Sequence, residues 1–330
     1  MKKRNVVTDL AIETHEMLCS EQDTSTIDGV CLKEQEFHNG EIKVVHVEIT
    51  NKSGEESLGK PIGNYITIES SAIKERDKTI HEEIIKVLAD IIGGLHELDT
   101  DGVVLVVGLG NRNVTPDALG PRTAEKMLVT RHLKNEGIIP AELEGKVRSI
   151  ASISPGVLGI TGIETFEIVK GVTDRVKPDL IIAVDALAAR EVSRINSTIQ
   201  ISDTGISPGA GMGNKRIRLN EKTLGVKVLA IGVPTVVDAA TLVNDALDGI
   251  LSNLAQESES GAPFYNSLKK LEAEEKYTLI LSALEPYDGN MFVTPKEVDD
   301  VVTDLSVIIA NGLNIALHKG ITKEDVWKYG

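Results

Sequence analysis

Two aspartates at the ends of apolar runs, Asp117 and Asp185, are the residues of this 330-residue chain best placed to do chemistry. Asp117 lies in VVLVVGLGNRNVTPDALGPRT (103–123) and Asp185 in LIIAVDAL (180–187). Each apolar run reads as a buried strand that stops at a polar turn, and in open α/β sheets such strand ends face the functional crevice. Two carboxyls delivered there from separate strands repel each other when both are ionised and so share a proton. The ionised member can then take a proton from water while the protonated one polarises a carbonyl, as amide hydrolysis requires. An aspartate after a buried strand serves equally well as a helix cap or turn residue, and the pattern alone weighs the two roles evenly.

Other chemistries find less support. Gly108-Leu109-Gly110-Asn111 follows a strand, but Asn113 stands where a dinucleotide fingerprint needs glycine, and the next helix waits until about Gly120. The histidines show no HExxH spacing, no G-x-S-x-G elbow occurs, and Cys19 and Cys31 lack CxxC spacing. No metal or cofactor site is expected. Two further glycine-rich loops, 154–159 and 207–214, supply tight turns or exposed backbone N–H groups for an extended peptide or a tetrahedral intermediate. Gly209 and Gly211 belong to the second of these. Lys215 and Arg216 beside it, with Arg112 and Arg122 beside the first loop, are candidates to attract acidic side chains of a substrate. Each taken singly is also an ordinary solvated surface charge.

The elements that must position these residues alternate. Strands are expected at 103–107, about 147–153, 179–184, 198–202 and 226–232, with helices at about 80–98, 120–135, 161–176, 237–254 and 295–317. The expected fold is α/β: a mostly parallel central sheet with helices on both faces, of the phosphorylase/hydrolase-like kind. A small peripheral antiparallel layer is expected at about 40–70, from short strands at 42–49 and 64–69. The first thirty residues read as a mobile or loosely docked arm, and 255–277 as an exposed excursion. A net charge of -15 argues against a nucleic-acid partner. The cysteine usage fits a reducing cytoplasm, and no apolar run reads as long enough to span a bilayer.

The segments TDLAIETHE (8–16), GLGNRNVTPDALGPRT (108–123), RSIASISPGVLGITGIET (148–165), PDLIIAVDALAAR (178–190), INSTIQISDTGISPGAGMGNKR (195–216), GVKVLAIGVPTVVDA (225–239) and MFVTPKEVD (291–299) together resemble the germination proteases of spore-forming bacteria. That family is similar in its core to the hydrogenase maturation endopeptidases, where two acidic residues and a histidine touch nickel. Aligned through the shared loop, Asp117 and Asp185 fall on the two acidic positions, and the third ligand has no counterpart. The resemblance therefore implies a metal-free, aspartic-type endopeptidase. It further implies small acid-soluble spore proteins as substrates, cut at T-E-(F/I)-A-S-E, a homotetramer, and a place in the cytoplasm of the forespore and spore core. Thr8-Asp9-Leu10-Ala11-Ile12-Glu13 is a near copy of that motif, with Asp for the first Glu and Ile for Ser. By this analogy residues 1–9 are a propeptide removed by self-cleavage between Asp9 and Leu10, and 10–330 form a single protease domain. Two alternatives stay open: a metal-dependent peptidase holding its ion with Asp117 and Asp185, and a non-catalytic protein that binds acidic peptides in a glycine-lined groove.

Overall fold

The apolar runs pair into one sheet whose order explains why Asp117 and Asp185 meet. The computed structural model describes residues 8–96, 101–209, 216–257, 273–284 and 291–321. Among these the strands are β1 (Val30–Phe37), β2 (Ile42–Ile49), β3 (Gly63–Glu69), β4 (Val103–Gly108), β5 (Ser149–Ile153), β6 (Leu180–Ala189), β7 (Thr198–Ser202), β8 (Lys227–Asp238) and β9 (Phe292–Val293). They form a single 9-stranded sheet in the order β1-β2-β3-β7-β8-β6-β4-β5, with β9 added against β8.

The sheet is mixed, which corrects the expectation of a mostly parallel one. Only the pairings β5–β4, β4–β6 and β6–β8 are parallel. The pairings β1–β2, β2–β3, β3–β7, β7–β8 and β8–β9 are antiparallel. The strands at 42–49 and 64–69 are therefore continuous with the central sheet through β7 rather than a separate layer. Among its described residues the segment from Asp203 to Val226, which joins β7 to β8, carries only the four-residue helix Glu221–Leu224, so no packed crossover helix holds β7 parallel to β8.

Alternation along the strands builds two cores. On β4, Val104 and Val106 join one cluster with Ile84 and Leu88 of α2 (Lys78–Leu95) and Leu305, Ile309 and Leu313 of α6 (Val298–Leu317). Leu105 and Val107 face the other way, toward Val169 of α4 (Thr165–Val176). Successive side chains on a strand point to opposite faces, so this split follows directly from the sequence of the strand. On the α4 side, Leu187 and Ala189 of β6 pack with Leu10, Ala11 and Ile12 at the start of α1 (Ala11–Gln22). The arm is thus docked, not loose: Leu10 and Ala11 are 0% exposed. An arm with so few apolar residues was read as mobile because its three buried ones are contiguous and carry no helical period.

Several boundaries also differ. The helix expected over 120–135 is α3 (Leu119–Glu125) followed, after a break, by a short helix at Arg131–Glu136. The helix expected at 237–254 is α5 (Ala239–Glu257), and β8 runs on to Asp238 before it. By length and composition α6 could cross a membrane, contrary to the expectation from the sequence; most of it is buried against α2 and the sheet. Much of the expected excursion at 255–277 lies outside the described residues.

Candidate active site

Asp185 does not end its strand; it occupies a gap between the cores. By strand alternation it shares a face with Ile181 and Ala183 before it and with Leu187 and Ala189 after it. Pairing with β4 stops one residue earlier, at Gly108↔Val184, while pairing with β8 continues through Asp185↔Gly232. β6 therefore overshoots β4 at Asp185, and the vacated side is filled by the loop that carries Asp117.

Glycines allow that loop to close. Leu109 N–H donates to the Val184 carbonyl at 2.8 Å, continuing the ladder for one more bond. A Cβ on Gly120 would lie 2.2 Å from the Leu109 oxygen and 2.4 Å from the Val184 oxygen, so only glycine lets the start of α3 rest on both strand ends. Gly110 has φ +110°, and a Cβ there would meet the Asp117 carbonyl at 2.1 Å. Asp117 ends a 3-10 turn, Thr115–Asp117, just before α3. Its Oδ2 accepts the Asn111 N–H at 2.6 Å, and Thr235 Oγ1 holds the turn by donating to the Pro116 carbonyl at 2.7 Å.

The electrostatics divide the two carboxyls. Asp185 is 4% exposed. Burial, and next the negative charge of Asp117, push its pKa well above the ordinary carboxylate value, with a smaller push from Asp9. N–H donors at Ala186 and Gly209 pull back less strongly; the Ala186 N–H lies 2.9 Å from Oδ1. Asp117 is also raised by burial, but the Asn111 N–H and the positive charge of Arg216 oppose that. Of the two, Asp185 is pushed further toward the protonated form, by its deeper burial and by the charge of Asp117. Among the described residues, no group of three His, Cys, Asp or Glu side chains comes together to hold a metal ion, so the donor set does not fit a nickel-type triad.

A family model described as germination protease matches residues 9–271 and 259–330. This chain belongs to the germination protease family. Among its relatives, the germination protease of Clostridium tetani is 50% identical over 325 residues, covering 98% of this chain and 99% of the relative. That of Caldanaerobacter subterraneus is 49% identical over 319 residues, covering 97% and 96%. That of Bacillus subtilis is 42% identical over 355 residues, covering 98% and 96%. The chain is accordingly a peptidase of spore germination.

The other candidate residues of this germination protease family member separate into groups. Asp9 and Leu10 are brought to the site: Asp9 N–H donates to the Ala188 carbonyl at 3.0 Å, and Ala188 N–H donates to Asp9 Oδ2 at 2.9 Å. Gly209, at φ +66°, turns its N–H to Asp185 rather than to open space. Arg216 faces Asp117 electrostatically. Arg112 instead forms an exposed ion pair with Glu125. Arg122 ties α3 to α6, donating to Thr303 Oγ1 at 2.6 Å and to the Asp299 carbonyl at 3.2 Å. Gly211 and Lys215 lie outside the described residues.

Two groups near the arm escaped the sequence. Lys60 and Gln200 both contact Asp9. Lys60 lies in a turn-rich stretch where lysine is unremarkable. Gln200 left a faint signal, as the one amide within the strand TIQIS, which strand alternation places on the arm's side of the sheet. Arg194 was missed as well: it donates to Glu16 and Glu69, each at 2.7 Å, and lies 3.9 Å from Glu13, pinning α1 to the sheet.

Proposed function

We propose that this chain is an endopeptidase that initiates degradation of small acid-soluble spore proteins, with Asp117 and Asp185 as the pair that activates water. The observation that carries this proposal is the coupling of the buried Asp185 carboxyl to the half-buried Asp117, since Asp185 is raised by its burial and next by the charge of Asp117, with a smaller push from the arm's Asp9. Ionised Asp117 takes a proton from water, and the water oxygen bonds to the scissile carbonyl carbon. Asp185 polarises the carbonyl group. On collapse the C–N bond breaks, and the amine nitrogen takes the proton that the pair has gained.

The same proposal makes the chain a zymogen that cuts itself between Asp9 and Leu10, releasing residues 1–9 and leaving 10–330 as one protease domain. Supporting it, the near copy of the substrate motif at 8–13 is seated beside Asp185, with its Glu13 carboxylate accepting the N–H groups of Arg190 at 2.8 Å and Glu191 at 2.9 Å. Assembly as a homotetramer and action in the cytoplasm of the forespore and spore core belong to the proposal too. The test is a synthetic peptide containing T-E-I-A-S-E, incubated with a chain beginning at Leu10 and read by mass spectrometry. A cut between Glu and Ile is expected. Binding of the peptide without any cut would instead select a non-catalytic peptide-binding role.

A further inference from the structure

The main-chain carbonyl oxygen of Asp9 accepts two side-chain hydrogen bonds, from Lys60 Nζ at 2.8 Å and from Gln200 Nε2 at 3.1 Å. It belongs to the bond assigned above as the point of self-cleavage. The Gln200 amide spans that bond, because its Oε1 accepts the Ala11 N–H at 2.7 Å on the other side. The residue between is fixed as well: Leu10 is 0% exposed and its N–H donates to Thr8 Oγ1 at 3.1 Å. Both main-chain groups of Asp9 are thus engaged, its N–H by Ala188 and its carbonyl by Lys60 and Gln200.

We propose, resting on the assignment of Asp117 and Asp185 as the water-activating pair, that Lys60 and Gln200 are the oxyanion donors of this enzyme. As the water oxygen bonds to the Asp9 carbonyl carbon, the π pair of the C=O moves onto the oxygen, which gains negative charge. The ammonium and amide N–H groups already point at that atom. When the pair returns, the Asp9–Leu10 C–N bond breaks and the Leu10 nitrogen leaves with a proton from the carboxyl pair. Donors fixed in advance around an oxygen whose charge grows bind the transition state better than the ground state. The sequence pointed to glycine-loop N–H groups for this task. Of those, Gly209 is spent on Asp185. Burial pushes the Lys60 ammonium below its ordinary pKa and the Arg218 charge adds to that, while the Asp9 and Glu13 carboxylates oppose it and favour the charged form.

The test follows self-cleavage of the full chain by intact mass, with thermal melting of each variant alongside. Lys60→Met is expected to slow cleavage about a hundred- to a thousandfold while melting near the parent. Lys60→Arg, which keeps a cation and its donors, should recover at least a tenfold part of that loss. Gln200→Met should slow cleavage too, and decides the matter if Lys60→Met does not fold. Cleavage of Lys60→Met, or failing that of Gln200→Met, within about threefold of the parent would overturn the proposal. So would a Lys60→Arg variant as slow as Lys60→Met, or a parent chain that never cuts at Asp9–Leu10. Asp185→Asn, run in parallel, separates the two assignments. If it cuts at full rate while Lys60→Met is slow, the carboxylate assignment falls and the donor pair stands; the opposite pattern does the reverse.

Discussion

Asp9 and Ala188 are joined by two hydrogen bonds, Asp9 N–H to the Ala188 carbonyl at 3.0 Å and Ala188 N–H to Asp9 Oδ2 at 2.9 Å. The pairing lays the arm along the part of β6 that overshoots β4, just beyond Asp185. A carboxylate accepts the Ala188 N–H here, so the side chain at this position is recognised by the backbone of the site strand itself. That gives a physical reason for an acidic residue before the cut, independent of any basic side chain. It also places a third negative charge near Asp185, which adds to its raised pKa.

Stability should therefore depend on pH through Asp185. Its unfolded value is the ordinary 3.8 and its folded value is raised well above it. Between those two values the folded chain binds more protons than the unfolded chain, so this group's contribution to stability falls as pH rises through that window. Asp185→Asn, which keeps the shape of the protonated carboxyl and cannot ionise, is expected to be more stable than the parent at neutral pH. Its advantage should vanish as pH approaches 3.8. Urea midpoints of both proteins across this range check it; a constant difference would contradict the raised value.

Gly120→Ala should displace Asp117 without touching it. A Cβ 2.2 Å from the Leu109 oxygen and 2.4 Å from the Val184 oxygen must push α3 off the strand ends. Overpacking of this kind costs about 1–3 kcal/mol. Peptide cleavage should fall more steeply than stability, because the distance between the carboxyls changes. Denaturant melts and cleavage rates measured on the same preparation separate the two effects, and a variant with parental stability and rate would contradict the close approach.

Glu13 is the arm's anchor. It is 1% exposed, accepts the Arg190 and Glu191 N–H groups and lies 3.9 Å from Arg194. Glu13→Ala takes the acceptor away from both part-buried N–H groups, at about 1–3 kcal/mol. Hydrogen exchange over 8–22 is expected to accelerate, while exchange in β4 and β6 stays as in the parent. Unchanged protection of the arm would show that Leu10 and Ile12 hold it by packing alone.

What the sequence carried was the local part of this arrangement. The strands around Asp117 and Asp185 were readable because β4 and β6 are buried on both faces and nearly uninterrupted in apolar residues. The direction of β7 was not, because the alternation of TIQIS marks which face is buried and not which way the strand runs beside β8. β1 was missed because it is an edge strand, exposed along almost all its length, with no apolar alternation. Asp117 and Asp185 could be picked out as residues, but their inequality could not: it arises from the deeper burial of Asp185 and from the Arg216 charge beside Asp117. Arg112 and Arg122 were attractive by proximity in sequence and are spent on Glu125 and on α6. Lys60 reaches Asp9 across 51 positions and Gln200 across 191, separations at which a single sequence holds no trace of contact.

The carboxylate pair is tested most directly by cleavage of the T-E-I-A-S-E peptide with Asp117→Asn and with Asp185→Asn, each shown to be folded by its melting curve. Each substitution is expected to slow cleavage by about a hundred- to ten-thousandfold, since it removes one member of the acid/base pair. A folded variant of either kind that cuts the peptide at the parental rate would contradict the assignment of Asp117 and Asp185 as the groups that activate water.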